Sequence, residues 1–444
     1  MHVKHWMLFA SALFILGMPA TSWASAPVIE WSRIFGGSGS DIARSIQQTG
    51  DGGFIVAGST NSNDGDVSGN RGGWDGWIVR LDAAGDIIWQ RSLGGSGGDS
   101  FNSVQQTTDG GFIVAGQSNS NDGDVSENPG YTSGWVVKLD SNGEIEWQRT
   151  FGGPRDDAIS GIQQTADGGY IFIGTISSNF ELELEVGRPN IFTRFIAWLS
   201  GSTEMMRVSD VLSSNVWITK LDSSGVIEWQ KTFGYPGLRL QHIGRAIQQT
   251  TDGGYIAAAM VLNFESDVIA LDAWVIRLDA AGEIVWERML GGSGWDAAYT
   301  IKRTADGGYI FAGSSRSADG GLPENRAYRG SWIVKLDSSG EIEWQKSLGG
   351  SFYSVQQTTD GGYILAGNLP SNDSNVPDGR RYPDGWIVKL DADGAIEWQK
   401  TLGGSGRDGF TSVQQTLGSG YILAGNTSLG DGDVSFWVVK LRYE

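Results

Sequence analysis

The chain has 444 residues, of which 67 are glycine, 10 are proline and none is cysteine, and its formal net charge is −19. An acidic surface repels phosphate backbones and anionic headgroups, which argues against a nucleic-acid partner; the alternative is that the charge keeps a tryptophan-rich protein soluble. Without cysteine there are no disulfides and no cysteine-linked lipid, so packing alone must stabilise the fold. Glycine-punctuated short apolar runs favour an all-β fold.

The first element in chain order is a predicted secretory signal peptide, residues 1–24. Lys4 provides a positive start, an apolar stretch runs from Trp6 to Met18, and small residues follow, with cleavage expected after Ala24. An uncleaved anchor helix is the alternative, although the apolar run is short for a bilayer. The sequence therefore predicts export to the periplasm or the extracellular space, and no other segment is expected to span a membrane.

A repeated unit dominates the rest of the chain. Its first block, residues 45–58, reads as a Ser-Ile-Gln-Gln-Thr strand, an Asp-Gly-Gly turn and a Phe-Ile-Val-Ala-Gly strand. The block returns from residues 103, 161, 246, 300, 354 and 412. The fifth copy replaces the glutamine pair with Lys302 and Arg303, and the seventh replaces the turn with Gly418-Ser419-Gly420. Each copy predicts a hairpin of two strands, A and B.

The second block of each unit predicts two further strands, C and D, joined by a turn that ends in glycine. Each block carries a leading and a trailing tryptophan. The leading residues are Trp77, Trp135, Trp217, Trp274, Trp332, Trp386 and Trp437, and the trailing ones are Trp31, Trp89, Trp147, Trp229, Trp286, Trp344 and Trp398. One pair per unit indicates core packing between stacked sheets, against the alternative of ligand stacking.

Seven units of four antiparallel strands predict an all-β fold, a seven-bladed β-propeller that occupies residues 25–444 as a single domain. The chain starts with a lone strand D around Trp31 and ends with strands A, B and C. The N-terminal strand should therefore complete the last blade and close the ring. In this strand order the tight turns lie on one face and the long loops on the other, so we expect any site on the long-loop face near the central channel.

These motifs resemble a known family. The run from Gly36 to Asp41, the glycine turn, the Tyr/Phe-Ile-x-Ala-Gly strand and the Trp-x-Val-Lys-Leu-Asp and Gly-x-Ile-x-Trp strands resemble the bacterial secreted seven-bladed propeller repeats called SBBP, and the related Delta-60 repeats. The resemblance covers nearly the whole chain after the signal segment. It implies a secreted propeller and little about activity. A weaker likeness is to PQQ-type quinoprotein repeats, from which this chain departs by its seven units and its lack of vicinal cysteines.

Two sets of acidic residues fall on the long loops and are candidate calcium ligands, because calcium takes oxygen ligands. One set stands six residues before the first glutamine of strand A, where one unit has His242 instead, and the other lies in Asn-Asp-Gly-Asp loops between strands B and C. The candidates are Asp41, Asp99, Asp157, Asp296, Asp408, Asp64, Asp66, Asp122 and Asp124. The alternative is that each aspartate binds backbone N–H groups of its own turn.

The third unit carries an insertion at residues 176–215. It opens with an alternating run, Phe180 to Val186, that predicts an exposed strand, and residues 190–199 then place apolar side chains on one helical face. We expect either a lid or partner-docking surface, or a helix that packs on the neighbouring blade. The candidate partner-binding residues are Phe192, Phe195, Trp198 and His242.

The sequence offers few candidate catalytic residues. Outside the signal segment the chain has one histidine, His242, and no Gly-x-Ser-x-Gly elbow in a strand-to-helix context. The sequence therefore favours a monomeric, secreted, non-enzymatic scaffold that binds a protein or a glycan through its long-loop face, with Ca²⁺ as a candidate cofactor. The alternatives are a hydrolase or lyase acting on glycans and a quinoprotein-like oxidoreductase.

Overall fold

The computed structural model describes residues 26–179, 212–234, 241–263, 270–319, 330–370, 382–428 and 432–444. These residues form strands and the connections between strands. None of them belongs to a helix that is long and apolar enough to cross a membrane. The predicted signal peptide lies outside the described residues.

Twenty-eight strands of the described chain form seven four-stranded antiparallel sheets, which are the predicted blades. Blade 1 comprises β2 (Asp41–Gln48), β3 (Phe54–Thr60), β4 (Asp75–Leu81) and β5 (Ile87–Leu93); blade 2, β6 (Asp99–Gln106), β7 (Phe112–Ser118), β8 (Ser133–Leu139) and β9 (Ile145–Phe151); blade 3, β10 (Ala158–Gln164), β11 (Tyr170–Asn179), β12 (Leu212–Leu221) and β13 (Ile227–Phe233); blade 4, β14 (His242–Gln249), β15 (Tyr255–Asn263), β16 (Ala270–Leu278) and β17 (Ile284–Leu290).

The remaining blades repeat this order of strands A, B, C and D. Blade 5 comprises β18 (Asp296–Arg303), β19 (Tyr309–Ser315), β20 (Gly330–Leu336) and β21 (Ile342–Leu348); blade 6, β22 (Ser351–Gln357), β23 (Tyr363–Leu369), β24 (Asp384–Leu390) and β25 (Ile396–Leu402); blade 7, β26 (Gly409–Gln415), β27 (Tyr421–Ser428), β28 (Val434–Arg442) and β1 (Val28–Phe35). The A strands of neighbouring blades contact one another around the centre. The predicted seven-bladed β-propeller is confirmed.

The predicted closure of the ring is also confirmed. Strand β1 pairs antiparallel with β28, and the register places Phe35 opposite Phe436 and Trp31 opposite Lys440. The indole Nε1 of Trp437 donates a hydrogen bond of 2.9 Å to Ser32 Oγ. The first and last strands therefore share one sheet, which removes the open edge of a linear array.

The tight turns use glycine where the backbone needs a positive φ. In blade 1, Gly52 closes the turn between β2 and β3 with φ +88°, and Gly85 closes the turn between β4 and β5 with φ +85°. The same positions recur in the other blades, except that Ser419 takes the glycine position in blade 7 with φ 66°. Glycine adopts this conformation without the steric cost that a Cβ imposes.

The tryptophans pack between blades, but the two series differ in burial. The seven leading tryptophans are buried: Trp77 lies 4.4 Å from Phe436 of the adjacent blade, and Trp135 stacks 5.0 Å from Phe101 of its own blade. Of the trailing series only Trp31 and Trp398 are buried, and the other five are half-buried. The prediction of core packing therefore holds fully for the leading series and in part for the trailing one, whose rings lie near the outer edge of each blade.

Paired strands extend into both ends of the predicted third-blade insertion, residues 176–215. Strands β11 and β12 run past the other B–C hairpins, with Ile176 opposite Asn215 and Asn179 opposite Leu212. Backbone pairing therefore continues the hairpin into both ends of the predicted insertion. The alternating run from Phe180 and the candidate residues Phe192, Phe195 and Trp198 lie outside the described residues.

Candidate functional site

On the long-loop face, the loop before strand A and the loop between strands B and C are locked together. In blade 1, Asp64 Oδ1 accepts a hydrogen bond of 2.6 Å from the backbone N–H of Ser38, and Asp66 Oδ2 accepts one of 3.2 Å from Gly36. Together, the N–H groups of residues 36–40 donate to Asp66, Asp41, Asp64, Ser62 and Asn61 in turn. Every N–H of this loop is thus bound by a side-chain oxygen, which holds the loop in one shape.

This interlock of the loop before strand A with the B–C loop recurs in other blades. In blade 2, Asp122 Oδ1 lies 2.6 Å from the N–H of Ser96 and Asp124 Oδ2 lies 3.1 Å from that of Gly94. In blade 5, Asp319 Oδ1 accepts a hydrogen bond of 2.7 Å from Ser293. The side chains of Ser38, Ser96 and Ser293 are exposed. Three blades therefore present the same rigid loop pair with a serine at its surface.

The aspartates at the start of strand A are buried and cap their own glycine-rich turns. Asp41 Oδ2 accepts a hydrogen bond of 2.9 Å from the N–H four residues earlier, at Gly37, and burial is the main cause that raises the pKa of this carboxyl. The equivalent bonds join Asp99 to Gly95, Asp157 to Gly153, Asp296 to Gly292 and Asp408 to Gly404. The structure thus confirms the turn-forming alternative for this set.

The predicted calcium ligands do not come together as one site. Asp41 is 0 % exposed, whereas the Asp64 series lies nearer the surface and binds loop N–H groups. Among the described residues, no group of three or more His, Cys, Asp or Glu side chains is arranged to hold a metal ion. Most of the proposed oxygen ligands already accept protein hydrogen bonds, and the predicted calcium binding is left to experiment.

His242 occupies the aspartate position at the start of blade 4. It is 1 % exposed, and its Nδ1 lies 3.0 Å from the carbonyl oxygen of Ser214 on blade 3. Burial lowers the pKa of this imidazole. The structure therefore places His242 in the wall between two blades rather than on the surface where a partner would meet it.

Acid pairs occur where strand C of one blade meets strand A of the next. Two carboxylates converge on one glycine at three junctions, and the pairs are Asp75 with Asp99, Asp272 with Asp296 and Asp384 with Asp408. Burial and the nearby Asp99 raise the pKa of Asp75 to about 6. Asp75 Oδ1 and Asp99 Oδ1 are both buried without a hydrogen-bond partner. These pairs lie within the interblade wall and recur with the repeat, which indicates a structural feature.

The central channel is lined by the A strands and has a volume of about 480 Å³. The first glutamine of the repeated pair joins neighbouring blades in the wall by a hydrogen bond. Gln47 Oε1 accepts a hydrogen bond of 2.6 Å from the backbone N–H of Gln106 on the next blade. The same bond occurs at five further junctions, where the accepting side chains are Gln105, Gln163, Gln248, Gln356 and Gln414. Lys302 replaces this glutamine in blade 5, so the junction between blades 5 and 6 lacks the bond.

Sequence reasoning missed both the loop interlock and the role of the glutamine pair. The signals were present in the sequence, since the Asn-Ser-Asn-Asp-Gly-Asp loop and the Gln-Gln pair recur with the unit. Their partners, however, lie between 21 and 59 positions away in most blades, so spacing alone could not match donors to acceptors.

The geometry defines the class of protein as a seven-bladed β-propeller, and comparisons with known proteins add no particular identity. No protein-family model matches the chain, and no curated protein sequence matches it. Solved structures resemble it at 11–14 % identity, with TM-scores below 0.5.

Two of the similar structures are proteins of unknown function. One is from Bacteroides caccae, with 14 % identity, a TM-score of 0.40, and coverage of 75 % of this chain and 92 % of that one. The other is from Dyadobacter fermentans, with 12 % identity, a TM-score of 0.46, and coverage of 77 % and 94 %. A third is the Pyrococcus horikoshii acylaminoacyl peptidase, with 11 % identity, a TM-score of 0.43, and coverage of 90 % of this chain and 51 % of the peptidase. These likenesses carry no argument about activity.

Proposed function

We propose that this chain is an exported, non-enzymatic binding scaffold that engages a repetitive glycan or protein surface through its long-loop face. The observation that carries the proposal is the interlocked loop pair, which appears in three blades with an exposed serine at Ser38, Ser96 and Ser293. Identical rigid sites on one closed ring bind a repetitive partner with an avidity that exceeds that of any single site.

The same proposal includes membership of the SBBP type of secreted propeller repeat, which rests on the repeated motifs of the sequence. Export rests on the signal-like segment at residues 1–24. In the described part of the loop face, the carboxylates near the channel mouth bind their own turns and His242 is buried. These arrangements favour a scaffold over the hydrolase, lyase and quinoprotein alternatives.

The test is a polysaccharide array probed with the protein lacking residues 1–24. One variant carries Ser38→Arg, Ser96→Arg and Ser293→Arg on the loop face. Its control carries Ala84→Arg, Asn142→Arg and Ser339→Arg at exposed positions of the opposite, tight-turn face, so that both variants gain the same charge. We expect binding by the parent protein and the control, and loss of binding by the loop-face variant.

Two results would contradict the proposal. One is equal binding by both variants, because the loop face would then be irrelevant. The other is release of reducing ends or unsaturated sugars from a bound polysaccharide, which would show a hydrolase or lyase.

A further inference from the structure

The channel carries a layer of hydrogen-bond donors that the protein itself leaves unused. In six blades the Oε1 atom of the channel glutamine accepts a backbone N–H from the next blade, as Gln105 does from Gln164. The amide group of each of these glutamines has its Nε2 donors left, and no described residue accepts from them. In the remaining blade, blade 5, Lys302 supplies an ammonium group at the same level of the wall. The layer therefore offers donors from all seven blades.

Lys302 has no counter-charge among the residues that the structure describes. None of the described residues that line this cavity is acidic, and Lys302 makes no ion pair or hydrogen bond within the described structure. Burial lowers the pKa of its ammonium group, as expected for a cation surrounded by protein and lacking a carboxylate. This is unusual in a chain of net charge −19, where carboxylates are plentiful.

Two guanidinium groups add to this charge nearer the long-loop mouth. Arg44 and Arg245 each occupy the position of a β-bulge in strand A, where the register with strand B shifts. They belong to blades 1 and 4, which are not neighbours in the ring, and yet the charge of Arg44 acts on Arg245 and helps burial to lower its pKa. Strand A of every blade lines the channel, so both residues lie on strands that ring the lumen.

Neither arginine is neutralised within the described structure. Arg44 makes no hydrogen bond or ion pair there, and Arg245 Nε is buried without a hydrogen-bond partner. The guanidinium of Arg245 lies over the ring of Tyr299, 5.8 Å from its centroid, which holds it in place without supplying a negative charge. Within the described structure, Lys302 lines the cavity, Arg44 and Arg245 lie on two of the strands that ring it, and none of the three has an anionic partner there.

We propose that the central channel binds a small multivalent oxyanion, held by Lys302 and the glutamine amides that line it, with Arg44 and Arg245 adding positive charge from the same ring of strands. An oxyanion accepts hydrogen bonds at every oxygen, which complements a wall that offers donors. Arginine matches the planar edges of carboxylate and phosphate, and lysine supplies a point charge. The volume of about 480 Å³ has room for a phosphate or a small polycarboxylate. The site is independent of the loop-face partner.

The test uses inorganic phosphate as the probe. The melting temperature of the protein lacking residues 1–24 is measured against phosphate concentration, with sodium chloride at matched ionic strength as the reference. We expect a saturable rise with phosphate alone, because a ligand that binds the native state stabilises it by mass action. An equal melting temperature in phosphate and in chloride would overturn the proposal.

Matched variants locate the site. Lys302→Gln and Arg44→Gln each remove one channel cation, and Arg149→Gln removes an exposed cation on the outer strand of blade 2. We expect phosphate to bind each channel variant roughly tenfold more weakly, the loss typical of one charge-assisted contact, and the Arg149 variant unchanged. Lys302→Gln restores the residue found in the other blades, so folding is expected to survive.

Tungstate, which is visible by its anomalous scattering, should appear in crystals at the level of Lys302. Tungstate bound elsewhere, or channel variants that bind phosphate as the parent does, would overturn the proposal. The loop-face triple variant should keep the phosphate response, so failure of the scaffold proposal and failure of this one give different results.

Discussion

The backbone N–H of Gln48 donates a hydrogen bond of 2.6 Å to the side-chain Oε1 of Gln414, across 366 positions of sequence. This bond joins blade 1 to blade 7 and is the same contact that stitches five other junctions of the ring. The junction between blades 5 and 6 lacks it because Lys302 replaces the glutamine.

This interblade hydrogen bond predicts opposite changes in the free energy of unfolding for two variants. Gln105→Ala should lower the free energy of unfolding by about 1 kcal/mol, because it leaves the N–H of Gln164 without its acceptor. Lys302→Gln should raise it by about 1 kcal/mol, because it completes the seventh junction and removes an unpaired cation. Urea unfolding, followed by tryptophan fluorescence in phosphate-free buffer, measures both. Destabilisation by Lys302→Gln would contradict this role of the glutamines.

Gly85 lies under the ring of Trp31, and a Cβ there would stand 3.0 Å from the ring carbons. Gly52 has nearly the same φ, +88°, but a Cβ there meets nothing within 4 Å. Gly52→Ala should therefore cost about 1 kcal/mol from backbone strain alone. Gly85→Ala should cost roughly 1–3 kcal/mol more, because the indole must move. Equal losses in chemical denaturation would show that the tryptophan contact contributes nothing.

Among the residues that the structure describes, Ser419 is the one non-glycine residue with a positive φ, at 66°. Ser419→Gly should raise the free energy of unfolding by up to about 1 kcal/mol, because glycine adopts this conformation without a Cβ penalty. The mirror change, Gly361→Ser, creates the same strain at φ +86° in an otherwise open turn and should destabilise by a similar amount. A neutral Ser419→Gly beside a harmful Gly361→Ser would contradict the prediction.

The pKa of Asp75 is raised to about 6, with burial as the main cause and Asp99 as a further one. The folded state therefore holds this proton more tightly than the unfolded state, whose carboxyl has its ordinary pKa near 3.8. It follows that this residue lowers stability as pH rises from about 4 to 6, and the loss persists above pH 6. Asp75→Asn should be more stable than the parent at pH 7.5, and the difference should vanish near pH 4. Melting curves across this range decide the sign, and Asp82→Asn on the tight-turn face is the control.

Calcium should leave the melting temperature unchanged between EDTA and millimolar calcium. The reason is that Asp64 and Asp122 each accept a short hydrogen bond from a loop N–H, and the Asp41 series is buried in its own turns. A calcium-dependent rise would show binding to the native state and would return these residues to the status of ligands. Asp64→Asn and Asp41→Asn would then identify the set that is responsible.

Much of the architecture was predictable because it depends on local periodicity. Strand alternation, the glycine turns and the tryptophan pairs recur with each unit, so the seven blades and the closing strand could be read from residues such as Trp31 and Trp437. The turn role of Asp41 was also among the alternatives, because its partner Gly37 is four residues away.

The sequence by itself thus determined the strand order of a blade, the number of blades and the face that carries the long loops, since each of these follows from the repeated unit. Only the tertiary structure decided the functional candidates. Closing the ring brings one position of every blade to a common axis, so the replacement of glutamine by Lys302 becomes a charge in a lumen lined by glutamines from distant parts of the chain. Such convergence depends on the relative placement of blades, which no spacing within a repeat records.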